Sequence, residues 1–203
     1  MNLMASSALK PLVARFINPI AALFLKVGLT PNAVTILGAL GSVASSAYFF
    51  TQGRFFLGAL AVSLFTLSDL FDGTMARLSD HGPSAWGGFL DSTLDRIVDL
   101  AIWISVSIYL IRQNDSIAPV ALIALGTGLL IPYIRAKAES FGIDCTIGIA
   151  ERTERLILAL IAVGFDGLGV PYILTVGIWT SAILGAITVS QRMRVTFVGL
   201  KSR

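Results

Sequence analysis

Apolar residues run through this chain in long stretches separated by short polar joints. Residues 27–53, 116–134 and 167–191 carry no charged side chain. Three more stretches, near 55–78, 88–112 and 153–170, are apolar but carry charge close to one end. A helix that crosses a bilayer needs ~20 residues, whereas strands of a membrane barrel would alternate apolar and polar positions. The unbroken runs therefore predict six membrane-spanning helices. Residues 8–27 follow a different period. Leu9, Leu12, Val13, Phe16, Ile17, Ile20, Leu23, Phe24 and Val27 recur at i, i+3, i+4, with Lys10, Arg15, Asn18 and Lys26 opposite. That spacing predicts an amphipathic helix lying on a membrane surface, with Pro19 expected to kink it. A cleavable signal peptide would need a charge-free core, which Arg15 interrupts.

Composition agrees. The chain has 203 residues, 55% hydrophobic and 13% charged, with a mean hydropathy of +0.82. Soluble domains carry about 25% charged residues, so a soluble globule, a disordered chain and a collagen-like repeat are excluded. The expected fold is an all-α integral membrane protein, one domain over 1–203. It has an interfacial helix at 8–27 on the cytoplasmic side and a six-helix bundle at 30–195. There is no internal repeat or linker. The lone Cys145 excludes an internal disulfide and reads as an inert thiol. With six spans, twelve of the fifteen Lys and Arg fall on the face of the termini, against Arg54 and Arg112 on the other, while Arg96 lies inside a span. By the positive-inside rule both termini are cytoplasmic. No nucleic-acid partner is expected.

The acids are less evenly placed. Six of twelve are aspartates between positions 69 and 99: Asp69, Asp72, Asp80, Asp91, Asp95 and Asp99. Asp69 stands 14 residues past Phe55, ~21 Å along a helix. A charge at membrane depth costs ~3 kcal/mol or more, and Arg77 and Arg96 are too few to neutralise four carboxylates. Asp69 and Asp72 are i, i+3, and Asp91 and Asp95 are i, i+4, so each pair shares a helix face. Two antiparallel helices can turn these faces together into an oxygen-rich site for two Mg²⁺ or Mn²⁺ ions, a clamp suited to phosphoryl transfer. Gly73 and Ala76 leave room for a ligand against the helix, and Arg77 can hold phosphate. Asp99 continues the stripe and reads as a pairing or structural residue ahead of a further metal ligand, and Asp80 and His81 read as solvated loop residues.

The run Asp69-x2-Asp72-Gly73-x2-Ala76-Arg77-x9-Gly87-x3-Asp91-x3-Asp95 resembles the signature of the CDP-alcohol phosphatidyltransferases, with eight matching positions over 27 residues. The Arg-to-Gly spacing is one residue longer than the family's usual eight. The resemblance implies that Asp69, Asp72, Asp91 and Asp95 hold two divalent metals, with Asp95 also the base. It implies contacts to CDP-diacylglycerol from Gly73, Ala76 and Arg77, with Ser84 chosen in the loop.

Aspartates and metals do not select the acceptor alcohol; basic residues do. Arg135 and Lys137 end the fourth expected span, Arg152 and Arg155 begin the fifth, and Arg192 ends the sixth. An anionic phosphate on the acceptor is their natural partner, set against plain positive-inside bias. LTPNAVTILG, YIRAKAE, ERTERLI and the terminal SQR are similar to the actinobacterial phosphatidylinositol phosphate synthases over roughly residues 10–195. That likeness implies inositol phosphate as acceptor, bound by Lys137, Arg155 and Arg192 with Arg135 and Arg152. It places Pro31, Asn32, Ala33, Val34 and Thr35 against the cytidine, and implies a homodimer in a bacterial plasma membrane. Gly38, Gly41 and Ser45 are compatible with helix packing there. Glycerol 3-phosphate is the alternative acceptor. A cation or proton transporter would explain buried aspartates but not Gly73, Ala76 and Arg77 at their spacing.

Overall fold

The computed structural model describes residues 15, 17–79 and 82–202, and among these there is no β-strand. The helices are α1 (Ile17–Lys26), α2 (Pro31–Phe49, continued by a 3-10 turn at Phe50–Gln52), α3 (Phe55–Thr66), α4 (Ser68–Leu78), α5 (Ala85–Arg112), α6 (Ala118–Ser140), α7 (Arg152–Asp166) and α8 (Ile173–Lys201). The beginning of the expected surface helix and the pair Asp80 and His81 lie outside the described residues.

Each expected span contains helix, but among the described residues four helices are both long and apolar enough to cross a membrane: Pro31–Gln52, Phe55–Leu78, Ala118–Ser140 and Ile173–Lys201. The chain is thus an all-helical membrane protein. The other two expected spans each fail one condition. The 28 residues of α5 extend ~42 Å, but Asp91, Asp95, Arg96 and Asp99 all stand between its residues 91 and 99. The 15 residues of α7 extend ~22 Å, short of a ~30 Å hydrocarbon core. A turn at 167–172 separates α7 from α8, and α8 runs past residue 191, the end expected for the sixth span.

Two compact units make up the chain, Met1–Ser42 with Val62–Val98 and Val43–Ala61 with Asp99–Arg203. In the first, Ala21 of α1 is fully buried with Val34 and Met75, and Phe24, Leu25, Leu29 and Phe71 close around them. Gly28 ends α1 with φ +84°. In that left-handed conformation the Gly28 and Leu29 amides donate to the carbonyls of Leu25 and Phe24, both at 3.0 Å. The chain thereby turns straight into α2. Gly38 and Gly41 receive Ser68 and Phe65 so closely that a methyl group on either glycine would collide. These two small residues, compatible by sequence with a dimer contact, serve packing within the chain. The helix expected over 55–78 is interrupted at Leu67. Thr66 Oγ1 donates back to the Val62 carbonyl at 2.9 Å, a bond that bends helices.

In the second unit, α8 packs on both α6 and α7. Its stripe of Gly177, Ser181 and Gly185 makes this possible. A methyl group on Gly177 would strike Ala162, one on Gly185 would strike Thr127, and Ser181 is buried between them. Gly142 (φ +70°) ends α6, with the Ile143 amide donating to the Ala138 carbonyl at 3.0 Å. Cys145 is fully buried beside Ala138 and Ile143, the environment of an inert thiol. A reciprocal capping box of Glu151 and Glu154 starts α7.

Candidate active site

Three carboxylates converge in the first unit. Asp69 and Asp72 come from α4 and Asp91 from α5, and one oxygen of each lies within 4.8 Å of the others. Asp72 is buried, Asp91 half-buried and Asp69 exposed. An anionic all-oxygen set converging in this way suits a hard divalent cation. The residues present fit the metal. Asp95 follows Asp91 by one turn and is not one of the three; its Oδ2 stands 3.5 Å from Nη2 of Arg96.

Beside the carboxylates opens a cleft of about 580 Å³. Asp72 and Asp91 line it, as do Pro31, Asn32, Thr35, Gly73, Ala76, Arg77 and Ser84. Seven of the nine positions expected to contact CDP-diacylglycerol therefore share one cavity. The exceptions follow from helical period. Pro31, Asn32 and Thr35 share a face of α2, and Val34 turns away into the core with Ala21 and Met75. The Ala33 amide is taken by Thr30 Oγ1 at 3.2 Å, so Ala33 belongs to the cap of α2. Leu25, Leu29 and Thr30 complete one wall; sequence reasoning missed them, because nothing local marks the end of α1 as part of a cavity.

Small residues keep the cleft open. A methyl group on Gly87 would come within 3.1 Å of both Asn32 Oδ1 and Ser84 Oγ. Ser84 caps α5, its Oγ accepting the Gly87 amide at 3.0 Å. Arg77, also in the lining, is exposed and anchored at one end, Nη2 donating to Thr74 Oγ1 at 2.9 Å. Thr35 was expected only as a nucleotide contact. Its Oγ1 donates to Asp72 Oδ2 at 2.6 Å, a contact between residues 37 apart in sequence that no local signal could reveal.

The family model for CDP-alcohol phosphatidyltransferase matches residues 28–189, which contain the whole cleft motif from Asp69 to Asp95. The chain belongs to the CDP-alcohol phosphatidyltransferase family. It is 37% identical over 188 residues to a phosphatidylinositol phosphate synthase of Streptomyces avermitilis, covering 88% of this chain and 77% of that one. It is 40% identical over 191 residues to the corresponding synthase of Cutibacterium acnes, covering 89% and 91%. The crystal structure of the Mycobacterium tuberculosis phosphatidylinositol phosphate synthase with CDP-DAG bound superposes with a TM-score of 0.86 at 39% identity, covering 91% of this chain and 94% of that one. The same synthase in complex with manganese and citrate superposes with a TM-score of 0.82, covering 88% of each. As a CDP-alcohol phosphatidyltransferase the chain is a membrane-bound enzyme of phospholipid synthesis, and its aspartate cluster is that of a divalent-metal enzyme.

The five cations expected to bind the acceptor of this phosphatidyltransferase lie in the second unit, and each has a protein partner. Arg152 Nε stands 3.4 Å from Asp99 Oδ1, the pairing role expected for Asp99. Arg155 Nη1 donates to the Ala150 carbonyl at 2.9 Å, and Asp99, Arg152 and Arg155 line one small cavity of about 20 Å³. Arg135 pairs with Glu139 at 2.8 Å in the open, worth ~1 kcal/mol or less. Lys137 Nζ lies 4.8 Å over the Phe141 ring. Arg192 is buried, its Nε donating to the Ile147 carbonyl at 2.9 Å and Nη1 to that of Ile131 at 2.7 Å.

Proposed function

We propose that this chain transfers the phosphatidyl group of CDP-diacylglycerol to inositol phosphate, giving phosphatidylinositol phosphate and CMP. The observation that carries the reading is the cleft in which Pro31, Asn32, Thr35, Gly73, Ala76, Arg77 and Ser84 meet Asp72 and Asp91. The resemblance to named phosphatidylinositol phosphate synthases supports the choice of acceptor.

Asp69, Asp72, Asp91 and Asp95 hold two divalent ions. Bound there, Mg²⁺ or Mn²⁺ supplies the positive charge that a pyrophosphate and a departing CMP require. Arg77, anchored on Thr74, holds a phosphate oxygen through its remaining N–H groups. Asp95 takes the proton of the attacking alcohol as its oxygen closes on the lipid-side phosphorus and the bond to CMP breaks. Gly73 and Gly87 keep side chains out of the nucleotide's path. Lys137, Arg155 and Arg192, with Arg135 and Arg152, recognise the phosphate of the acceptor. Much of the acceleration comes from positioning and fixed charge.

The chain works as one domain, a homodimer in a bacterial plasma membrane, with α5 and α7 completing six spans and the site facing the cytoplasm. Helix α1 lies in the cytoplasmic interface; the exposure of Ile20 and Leu23 on α1 and of Val27 just after it supports this. An acceptor panel tests the function. Purified protein with Mn²⁺ or Mg²⁺ and CDP-diacylglycerol is expected to release CMP with inositol phosphate. Release with glycerol 3-phosphate instead would move the acceptor and keep the family.

A further inference from the structure

We propose that Thr35 is a positioning residue for Asp72, holding one oxygen of that carboxylate so that the other lone pairs remain for the metal. The inference deepens the metal reading above and rests on it; the identity of the acceptor does not enter.

Thr35 stands one turn into α2, and its Oγ1 lies 3.0 Å from the Pro31 carbonyl oxygen and 2.6 Å from Asp72 Oδ2. A hydroxyl carries one hydrogen. The separation to Asp72 is that of a charge-assisted bond to a carboxylate, and the contact to Pro31 is longer, so the proton is given chiefly to Asp72. A threonine in a helix commonly turns its hydroxyl toward the carbonyl one turn back. In this chain the same rotamer also aims the hydroxyl across to α4. The threonine's β-branch thus fixes the direction of the donor before any metal arrives.

Burial makes the bond matter. Thr35 is 7% and Asp72 8% exposed, so water replaces the donor poorly, and a buried carboxylate oxygen left without one is costly. With Oδ2 engaged, the carboxylate plane of Asp72 is held. Asp69, one turn back at the exposed end of the cluster, has no such burial to restrain it. Partners of metal ligands act in this way, fixing the ligand's orientation without touching the ion. Thr35 also lines the cleft, so the rival role is a nucleotide contact and nothing more.

Mn²⁺ titration without nucleotide separates the two. Free Mn²⁺ is followed by electron paramagnetic resonance over purified wild type, Thr35→Val, Thr35→Ser and Asp91→Asn, in detergent and below the unfolding range of each. Valine keeps the shape and the β-branch and removes the hydroxyl alone. Thr35→Val is expected to raise the Kd for Mn²⁺ by about 10- to 100-fold, the range seen when a ligand's hydrogen-bond partner is removed. Thr35→Ser, which keeps the donor, is expected to recover most of that loss. A purely structural role would lower the melting temperature and leave the Kd of the folded protein in place. Wild-type Mn²⁺ affinity in Thr35→Val, with a raised KM for CDP-diacylglycerol, would overturn the proposal and leave the metal reading standing. A wild type that takes up no Mn²⁺ would overturn both. If Thr35→Val fails to run as a monodisperse species, Thr35→Ala is judged by the same titration.

Discussion

Replacing Arg192 by alanine should loosen the second unit before it affects any substrate. The side chain is 5% exposed. Its Nε donates to the Ile147 carbonyl at 2.9 Å and its Nη1 to the Ile131 carbonyl at 2.7 Å. One guanidinium therefore ties α8 both to α6 and to the segment that leads into α7. A hydrogen bond from a charged donor contributes ~1.5–3 kcal/mol, so the pair is worth ~3–6 kcal/mol before the desolvation of the guanidinium is set against it. A net loss of about 3 kcal/mol follows, which for a chain of this size is a fall in Tm of about 6–12 °C. Thermal unfolding of the purified protein in detergent measures it. Arg192→Lys offers a point charge instead of a planar fork and should recover at most half. A Tm unchanged within about 2 °C, with the KM for inositol phosphate raised, would refute the reasoning and leave Arg192 as a ligand contact alone.

Two further substitutions probe the cleft. Asp95→Asn keeps the shape of the residue one turn beyond Asp91 and removes the base; turnover should fall by ~10²-fold or more while CDP-diacylglycerol binding, measured by calorimetry, persists. Gly87→Ala places a methyl group 3.1 Å from Asn32 Oδ1 and Ser84 Oγ. Its expected signature is a raised KM for CDP-diacylglycerol with a loss of about 1 kcal/mol in stability from the disturbed cap, read from steady-state kinetics and unfolding together.

The all-helical membrane class and the location of the acids were legible along the chain, because both rest on local quantities. Twenty apolar residues must form a helix in a bilayer, and i, i+3 or i, i+4 spacing places Asp69 with Asp72 and Asp91 with Asp95 whatever surrounds them. Helix ends were legible less well. The break at Leu67 and the early stop of α7 at Asp166 depend on back-bonding and on turns that hydropathy averages over. The roles of the cations were legible least. An arginine at a span end reads alike whether it faces a ligand, pairs with Asp99 as Arg152 does, or grips backbone carbonyls as Arg192 does.

From residue order alone come the membrane class, the carboxylate pairs and the small residues beside them, all consequences of period and of what a bilayer excludes. Folding in three dimensions settled which residues meet across long separations. It drew Thr35 onto Asp72, seated the end of α1 in the cleft wall, turned Val34 into the core and closed Gly38 on Ser68. These contacts join residues tens of positions apart, and their energies come from burial and close approach, which exist only once the helices are packed.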